Sequence, residues 1–354
     1  MKRTTDRDYA LVDRPSTVGP DHPVTADFLT LRYRDFSREL AFPETADRTV
    51  WDVWRRQLQA KLARLIRLDA WGEIPTPSPQ TLEEIQCDGY VRRKVAYETF
   101  PGNWVVAYLL VPEGVSFPAP AVICPHGHTK EGKVAVVDPS ITEYGAAYGH
   151  ELARRGMVVL APDNAGMGER DITVPEGEQR HRGCELLFRR LQHMGLDVTG
   201  LRVFDLIAGL NMLSTMEEVD ESRLGCAGLS GGCWLSMFLA ALDERVKAVI
   251  LSGFMSTFTQ TIWIGHCMCE HIYGIGEVCD LPDVCALIAP RPVFVESGTE
   301  DFSFPFEPAY SLVHRAYVLA GAEDRLGLDR YDGGHLFRGK LSIPWLVARL
   351  TAPY

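Results

Sequence analysis

The chain has 354 residues and a net charge of −11 at pH 7, with 47 acidic against 36 basic side chains. This acidic balance argues against nucleic acid or an anionic membrane surface as a partner, because both would repel the chain. Apolar residues make up 46% and charged residues 23% of the sequence. These fractions are ordinary for a globular protein that buries one large core.

Nothing in the sequence indicates export or membrane insertion. No stretch approaches the roughly 18 apolar residues of a membrane span. The charged segment Met1–Asp8 lacks the apolar core of a secretory signal. The nine cysteines are odd in number and form no paired framework, which is typical of a reducing cytosol. We therefore expect a cytoplasmic protein with no membrane partner.

The first 80 residues are predicted to form an N-terminal helical appendage and linker. Prolines interrupt residues 1–44, which should be loosely structured. Residues 49–68 should form a helix, because their apolar side chains recur at steps of three and four; these are Trp51, Trp54, Leu58, Leu62, Leu65 and Ile66. Burial against the main domain explains this stripe better than membrane binding. A stiff, proline-rich linker covers residues 74–79.

Residues 81–354 are predicted to form the catalytic domain. A hairpin joins residues 91–99 and 104–111 through a Pro-Gly-Asn turn. Short apolar strands then alternate with helices. The strands are expected at 121–124, 157–161, 224–227, 246–251, 292–296 and 326–331, and the helices at 144–155, 198–216, 233–242, 305–321 and 340–350. This alternation predicts an α/β fold with a mostly parallel central sheet flanked by helices, made mixed by the hairpin.

The most informative motif is Gly228-Leu229-Ser230-Gly231-Gly232, which lies between a predicted strand and a predicted helix. A serine between small residues at such a turn is typical of the nucleophile elbow of a serine hydrolase. The turn strains the serine backbone and exposes its hydroxyl, so the flanking residues must be small. A glycine-rich turn with a solvated serine is the alternative.

A nucleophilic serine needs a base and a carboxylate that orients the base. His335 follows the last predicted strand, where the base belongs, and Asp301 follows the strand before it. The chain order Ser230, Asp301, His335 matches that of the α/β-hydrolase triad. Glu300 competes with Asp301 locally, whereas Glu296 should still lie within the strand. Asp163 also follows a strand, but its glycine-rich continuation indicates a structural turn.

An oxyanion hole requires two N–H donors. We assign one to the backbone of Gly231 and the other to the loop after the strand at 121–124, where either Gly127 or His128 would donate. The side chain of His126 is a candidate for substrate contact. The side chain of His128 is a second candidate, but a structural hydrogen bond is the favoured interpretation of both histidine side chains.

Two segments are candidates for walls of the active site. Residues 254–285 lie between two core strands, and their substrate-binding candidates are Trp263, His266 and Tyr273. Residues 171–199 form a polar excursion in which Arg182 is a candidate for binding a substrate carboxylate. A solvated surface helix is the alternative interpretation of this excursion.

The run His266-Cys267-Met268-Cys269-Glu270-His271, with Cys279 and Cys285 nearby, has the composition of a metal site. Its C-x-C spacing with wider gaps is not the paired C-x2-C spacing of structural zinc. Free cysteines also serve as small buried apolar residues. We therefore predict no metal site.

The chain resembles α/β-hydrolases of the dienelactone-hydrolase and acetyl-xylan-esterase-like superfamily. The resemblance covers roughly residues 85–350, and its motifs lie at residues 107–112, 125–128, 161–169, 228–232, 288–292 and 333–335. It implies serine ester hydrolysis without a cofactor. Dienelactone hydrolases themselves resemble this fold but use a cysteine nucleophile, so the serine at position 230 makes their lactone chemistry less expected.

The function predicted from the sequence is hydrolysis of a small-molecule carboxylic ester, carrying a short acyl or acetyl group, through an acyl-enzyme. Cleavage of an amide or C–C bond by the same triad, acyl transfer, and a non-catalytic ligand receptor are the alternatives. A homodimer is compatible with an acidic hydrolase of this size, although no segment specifies an interface.

Overall fold

The computed structural model describes residues 37–43, 47–142, 147–172, 182–261, 266–301 and 306–352, together with residues 29, 32 and 145. The described residues form a nine-stranded sheet. Its strands are β1 (Gln80–Cys87), β2 (Tyr90–Phe100), β3 (Asn103–Pro112), β4 (Ala119–Ile123), β5 (Val158–Pro162), β6 (Val219–Leu229), β7 (Val246–Ser252), β8 (Val293–Gly298) and β9 (Leu326–Tyr331).

The sheet order is β1-β2-β3-β5-β4-β6-β7-β8-β9. Strands β1 to β3 form an antiparallel meander, and β3 pairs antiparallel with β5. The remaining neighbours pair in parallel. This is the mixed, mostly parallel sheet that the sequence predicts. Strand β1 was not predicted, because nearly all of its side chains are exposed and show no buried alternation.

Helices cover both faces of the sheet. They are α1 (Arg48–Leu65), α2 (Val134–Val137), α3 (Tyr148–Ala153), α4 (Arg182–His193), α5 (Val198–Ser214), α6 (Gly231–Leu242), α7 (Ile275–Val278), α8 (Leu281–Ala286), α9 (Ala309–Ala320) and α10 (Ser342–Thr351). Along β4, Ile123 joins the core shared with α1, α5, α6 and α9, whereas Val122 joins the core shared with α3 and α10. Alternate side chains are thus buried on opposite faces, as expected of a covered parallel sheet.

Helix α1 is held by the main domain. The predicted stripe is buried at Trp51, Trp54, Leu58 and Leu62, and these side chains belong to the same core cluster as α6. A Cβ atom on Gly200 would lie 1.7 Å from the carbonyl oxygen just beyond the end of α1, so glycine permits this close approach to α5. The segment predicted as an appendage therefore shares its core with the sheet.

Six segments that carry the candidate site residues follow β4, β5, β6, β7, β8 and β9. Because these strands are parallel, their carboxyl ends meet at one edge of the sheet, where α/β proteins place their sites. Within the described part of the chain, no helix combines the length and apolarity that crossing a membrane would need.

Candidate active site

The elbow has the strained backbone that the motif predicts. Ser230 precedes α6 with φ 58° and ψ −123°, a conformation that residues with a Cβ rarely adopt. Its N–H donates to the carbonyl of Ser252 at 3.0 Å. A Cβ on Gly228 would lie 2.3 Å from the backbone of Gly232, and a Cβ on Gly232 would lie 2.2 Å from the carbonyl oxygen of Pro125. Both glycines are therefore required by close backbone approach.

His335 and Asp301 form a hydrogen-bonded pair, with 2.8 Å between Nδ1 and Oδ2. The Asp301 side chain is 1% exposed and the His335 side chain is 26% exposed. Nδ1–H donates to the carboxylate, so the neutral ring has an acceptor at Nε2. Glu300 is exposed; of the two neighbouring carboxylates, it is Asp301 that pairs with the histidine.

Backbone hydrogen bonds hold the loops of these two residues together. The N–H of Thr299 donates to the carbonyl of Tyr331 at 2.8 Å, and the N–H of Glu300 donates to the carbonyl of Gly333 at 2.8 Å. The spacing between acid and base is thus set by main-chain contacts and does not depend on the side chains alone.

The buried carboxylate of Glu296 anchors the chain that follows His335. It accepts the N–H of Gly339 at 2.8 Å and the hydroxyl of Ser342 at 2.6 Å. Burial raises the pKa of Glu296, although these hydrogen bonds oppose the shift. Glu296 lies within β8, as predicted, and its role in the fold is to fix this loop.

The histidine ring lies beside the elbow. A Cβ on Gly253 would lie 2.9 Å from Cε1 of His335 and 3.0 Å from a methyl of Leu229. Leu229 directly precedes Ser230, and Gly253 directly follows Ser252, whose carbonyl binds the serine N–H. The structure therefore places His335, Asp301 and Ser230 at the same edge of the sheet, where strands β9, β8 and β6 end.

The predicted oxyanion loop also adjoins the serine. A Cβ on Gly127 would lie 3.2 Å from the Cβ of Ser230, and a Cβ on Gly231 would lie 2.9 Å from Nδ1 of His128. The first turn of a helix directs its N–H groups outward at this end. The loop after β4 and the start of α6 therefore lie beside Ser230, as an oxyanion hole requires. The assignment of Gly231 and of Gly127 or His128 as the donors stays a prediction.

The structure gives His126 a structural role in place of the predicted substrate contact. Its side chain is 1% exposed. Nδ1 donates to the carbonyl of Gly127 at 2.7 Å, and Nε2 accepts the N–H of Asn164 at 3.1 Å. Because Nε2 accepts an N–H, it carries no proton, and both ring nitrogens bind the protein. Burial lowers the pKa of His126. Spacing alone could not separate this role from substrate contact.

The structure does not bring the other predicted substrate-binding residues together at one described site. Tyr273 is 87% exposed, so its side chain faces solvent. His266 packs against Phe254, with ring centroids 5.2 Å apart, and its Nδ1 contacts the Glu270 carboxylate. Trp263 lies outside the described residues. Arg182 begins α4, but its side chain also lies outside the described part of the chain.

Asp163 belongs to a structural turn, as its glycine-rich continuation indicates. The carboxylate accepts the Lys133 ammonium at 2.6 Å and the backbone N–H of Glu169 at 3.0 Å. Both Lys133 and Asp163 are 1% exposed. The burial of Lys133 was not predicted, because a lone lysine before a short apolar run usually lies at the surface.

A second group of metal-binding side-chain types includes His128 of the predicted oxyanion loop, and the sequence predicted no metal site here. The donor atoms of His128, Cys184, Cys267 and Cys269 all lie within 4.8 Å of one another. Cys279 and Cys285 are instead buried in the main core. Burial opposes ionisation of Cys269, but hydrogen bonds from the neighbouring thiols and nearby positive charge lower its pKa well below the ordinary value. The available signals were the C-x-C pair and the isolated cysteine of the polar excursion.

A strained serine and a histidine–aspartate pair at the carboxyl edge of a mixed α/β sheet define the class as α/β-hydrolase. The chain belongs to the Abhydrolase family, whose model matches residues 28–333. This match extends across the predicted boundary at residue 80.

The chain is similar to one hydrolase by sequence and to two esterases by structure. The "Putative hydrolase YtaP" of Bacillus subtilis is 25% identical over 295 residues, covering 79% of this chain and 94% of its own. A structure described as a "putative acetyl xylan esterase" from Bacteroides fragilis has a TM-score of 0.76 at 19% identity, covering 93% of this chain and 96% of its own. A glucuronoyl esterase from Solibacter usitatus has a TM-score of 0.62 at 13% identity, covering 88% and 97%. At these identities the two structures establish the shared fold.

Proposed function

We propose that the protein hydrolyses a carboxylic ester of a small molecule, carrying an acetyl or other short acyl group, through a serine acyl-enzyme. The observation that carries this proposal is that the strained Ser230 lies at the same edge of the sheet as the His335–Asp301 pair. In that pair, Nδ1 and Oδ2 are 2.8 Å apart. A buried carboxylate, a partly exposed imidazole and a serine elbow are the three parts that nucleophilic acyl transfer needs. The esterase names of the similar structures support the same bond type.

In the proposed reaction, Oγ of Ser230 attacks the ester carbonyl while Nε2 of His335 takes its proton. Asp301 holds the ring in the required tautomer and stabilises the imidazolium. The backbone N–H of Gly231 and one from residues 127–128 bind the oxyanion. His335 then protonates the leaving alcohol, and a water deprotonated by His335 releases the acid and restores the serine.

The test is hydrolysis of p-nitrophenyl acetate and butyrate by the wild type, Ser230→Ala and Ser140→Ala. Ser140 is exposed, so its variant makes the same chemical change away from the site. Loss of a triad nucleophile should lower kcat by about 10⁴-fold or more, whereas Ser140→Ala should keep the wild-type rate. Wild-type activity in Ser230→Ala would overturn the assignment.

A fluorophosphonate probe, which reacts with activated serines, separates the remaining outcomes. Labelling of the wild type but not of Ser230→Ala, without hydrolysis of either ester, would retain the nucleophile and point to an amide or C–C bond. Absence of both labelling and turnover would overturn the proposal in favour of a ligand receptor with a hydrolase fold.

A further inference from the structure

The group of His128, Cys184, Cys267 and Cys269, named here the thiol cluster, draws its members from three distant segments. His128 comes from the loop after β4, Cys184 from α4, and Cys267 and Cys269 from the segment between β7 and β8. The side chains of Cys184 and Cys269 are buried, and that of His128 is 11% exposed. Three thiols and one imidazole thus converge on one point inside the protein.

The distances within the thiol cluster fit a single metal ion. Sγ of Cys267 and Sγ of Cys269 are 3.3 Å apart, and Nε2 of His128 lies 3.1 Å from Sγ of Cys269. Every pair of donor atoms is within 4.8 Å. Tetrahedral zinc, with bonds of about 2.3 Å to sulfur and about 2.0 Å to nitrogen, places its donors about 3.5–3.8 Å apart. Shifts of roughly 1 Å or less would satisfy that geometry.

A buried arginine supplies the charge that such a site requires. Arg202 is 4% exposed, and its Nη2 donates to Sγ of Cys184 at 3.3 Å. Among the described residues, no carboxylate lies within ion-pair distance of Arg202. A buried cation is costly without an anionic partner. Three thiolates, one neutral imidazole and a divalent cation carry a net charge of −1, which the guanidinium would balance.

A carboxylate stands behind the imidazole. Nε2 of His128 points into the thiol cluster, and Nδ1 lies 3.8 Å from Oε1 of Glu270. Glu270 is 1% exposed. Metal-bound histidines commonly direct their second nitrogen toward a carboxylate, which fixes the tautomer and the ring orientation. A disulfide between two of the cysteines is uncharged, so it would not account for the third thiol, the imidazole and Arg202 lying at the same place.

We propose that the thiol cluster binds one Zn²⁺ through Nε2 of His128 and the thiolates of Cys184, Cys267 and Cys269. Three soft sulfur ligands with one imidazole select zinc over hard cations such as magnesium or calcium. All four positions are filled by protein, so the ion is structural and takes no part in a bond-making step of the proposed ester hydrolysis. It ties the oxyanion loop, α4 and the segment after β7 into one unit.

The test is the metal content of protein expressed with added zinc and purified under reducing conditions without a chelator. Elemental analysis should find about one zinc per wild-type chain. Cys184→Ser and Cys269→Ser should lose most of it. Cys87→Ser, which alters a half-buried cysteine on the edge strand β1, should retain it. Equal zinc content in all four proteins would overturn the assignment, since the metal would then bind elsewhere.

Cobalt substitution of the wild-type protein keeps the proposal testable if Cys184→Ser and Cys269→Ser fold poorly. Wild-type protein stripped of metal and titrated with Co²⁺ should show the visible bands of tetrahedral cobalt together with thiolate-to-cobalt charge transfer, saturating near one equivalent. No zinc uptake by the reduced wild type, or a cobalt spectrum without thiolate bands, would overturn it. Both readouts are independent of ester hydrolysis, so this proposal and the proposed function can fail separately.

Discussion

Replacing Gly232 with alanine tests how tightly the elbow is packed against the oxyanion loop. The new Cβ would lie 2.2 Å from the carbonyl oxygen of Pro125 and 3.0 Å from the carbonyl carbon of His126. Both contacts are backbone, so no flexible side chain can move aside. Reaching even 3.0 Å from the oxygen requires the loop and the start of α6 to separate by roughly 0.8 Å.

A displacement of this size acts on catalysis more than on folding. Overpacking of this kind costs about 1–3 kcal/mol of stability, which a large domain tolerates. A misplacement of about 1 Å at the reacting groups can lower the rate by about 10²-fold, because the proposed oxyanion donors would no longer meet the developing charge. We therefore expect Gly232→Ala to fold and to lose about 10²-fold in kcat on p-nitrophenyl acetate.

The matched control is Gly276→Ala in α7, where a Cβ meets nothing within 4 Å. It should retain wild-type kcat and unfolding temperature. Circular dichroism and thermal unfolding would establish that both variants are folded before their rates are compared. A folded Gly232→Ala protein with kcat within twofold of the wild type would refute the argument that this contact positions the oxyanion loop.

Three further predictions concern buried charges. Asp301→Asn should lower kcat by about 10⁴-fold, because the histidine loses the partner that fixes its tautomer, whereas Glu300→Gln should match the wild type in the same ester assay. Lys133→Met should lower the free energy of unfolding in urea by about 3–5 kcal/mol, because it leaves the Asp163 carboxylate buried without its ammonium partner. Adding Asp163→Asn should restore part of that loss. An unchanged free energy of unfolding in Lys133→Met would contradict the importance of the buried pair. Burial raises the pKa of Asp197, the cap of α5, to about 7, so its contribution to stability is full below the ordinary value near 4 and falls as pH rises to about 7. The unfolding free energy of Asp197→Asn minus that of the wild type should therefore increase over this window, and a constant difference would refute the shift.

The fold was predictable because its strands are short apolar runs bounded by turns. Strand β9 has the predicted bounds, residues 326–331, and the helix predicted at 49–68 is α1 (Arg48–Leu65), which buries Trp51, Trp54, Leu58 and Leu62 of the predicted stripe. Such patterns are local, so one sequence suffices to recognise them. Strand β1 escaped prediction because it binds β2 through its backbone while its side chains face solvent. An edge strand of this kind leaves no periodic signal.

The candidate triad was predictable for a related reason. Each of its residues follows a recognisable strand, and parallel strands bring their carboxyl ends together. The side chains of the loops carry no such rule. His126 and His128 are separated by one residue, yet His126 is fixed by two backbone partners and His128 points to thiols. Their directions depend on the packing of Asn164 and Cys269, which the spacing of the histidines does not encode.

The thiol cluster was beyond a spacing argument because its donors come from unrelated segments. Cys184 lies in a polar stretch that resembles a solvated helix, but α4 places its cysteine in a small core with Cys269. His128 belongs to the loop beside the nucleophile, and its ring lies next to Gly231. Contacts that hold the His128 ring in place also hold the loop that carries the proposed oxyanion donors. Cys184, far from the serine in sequence, therefore acts on the same loop, and this physical link exists only once the chain is folded.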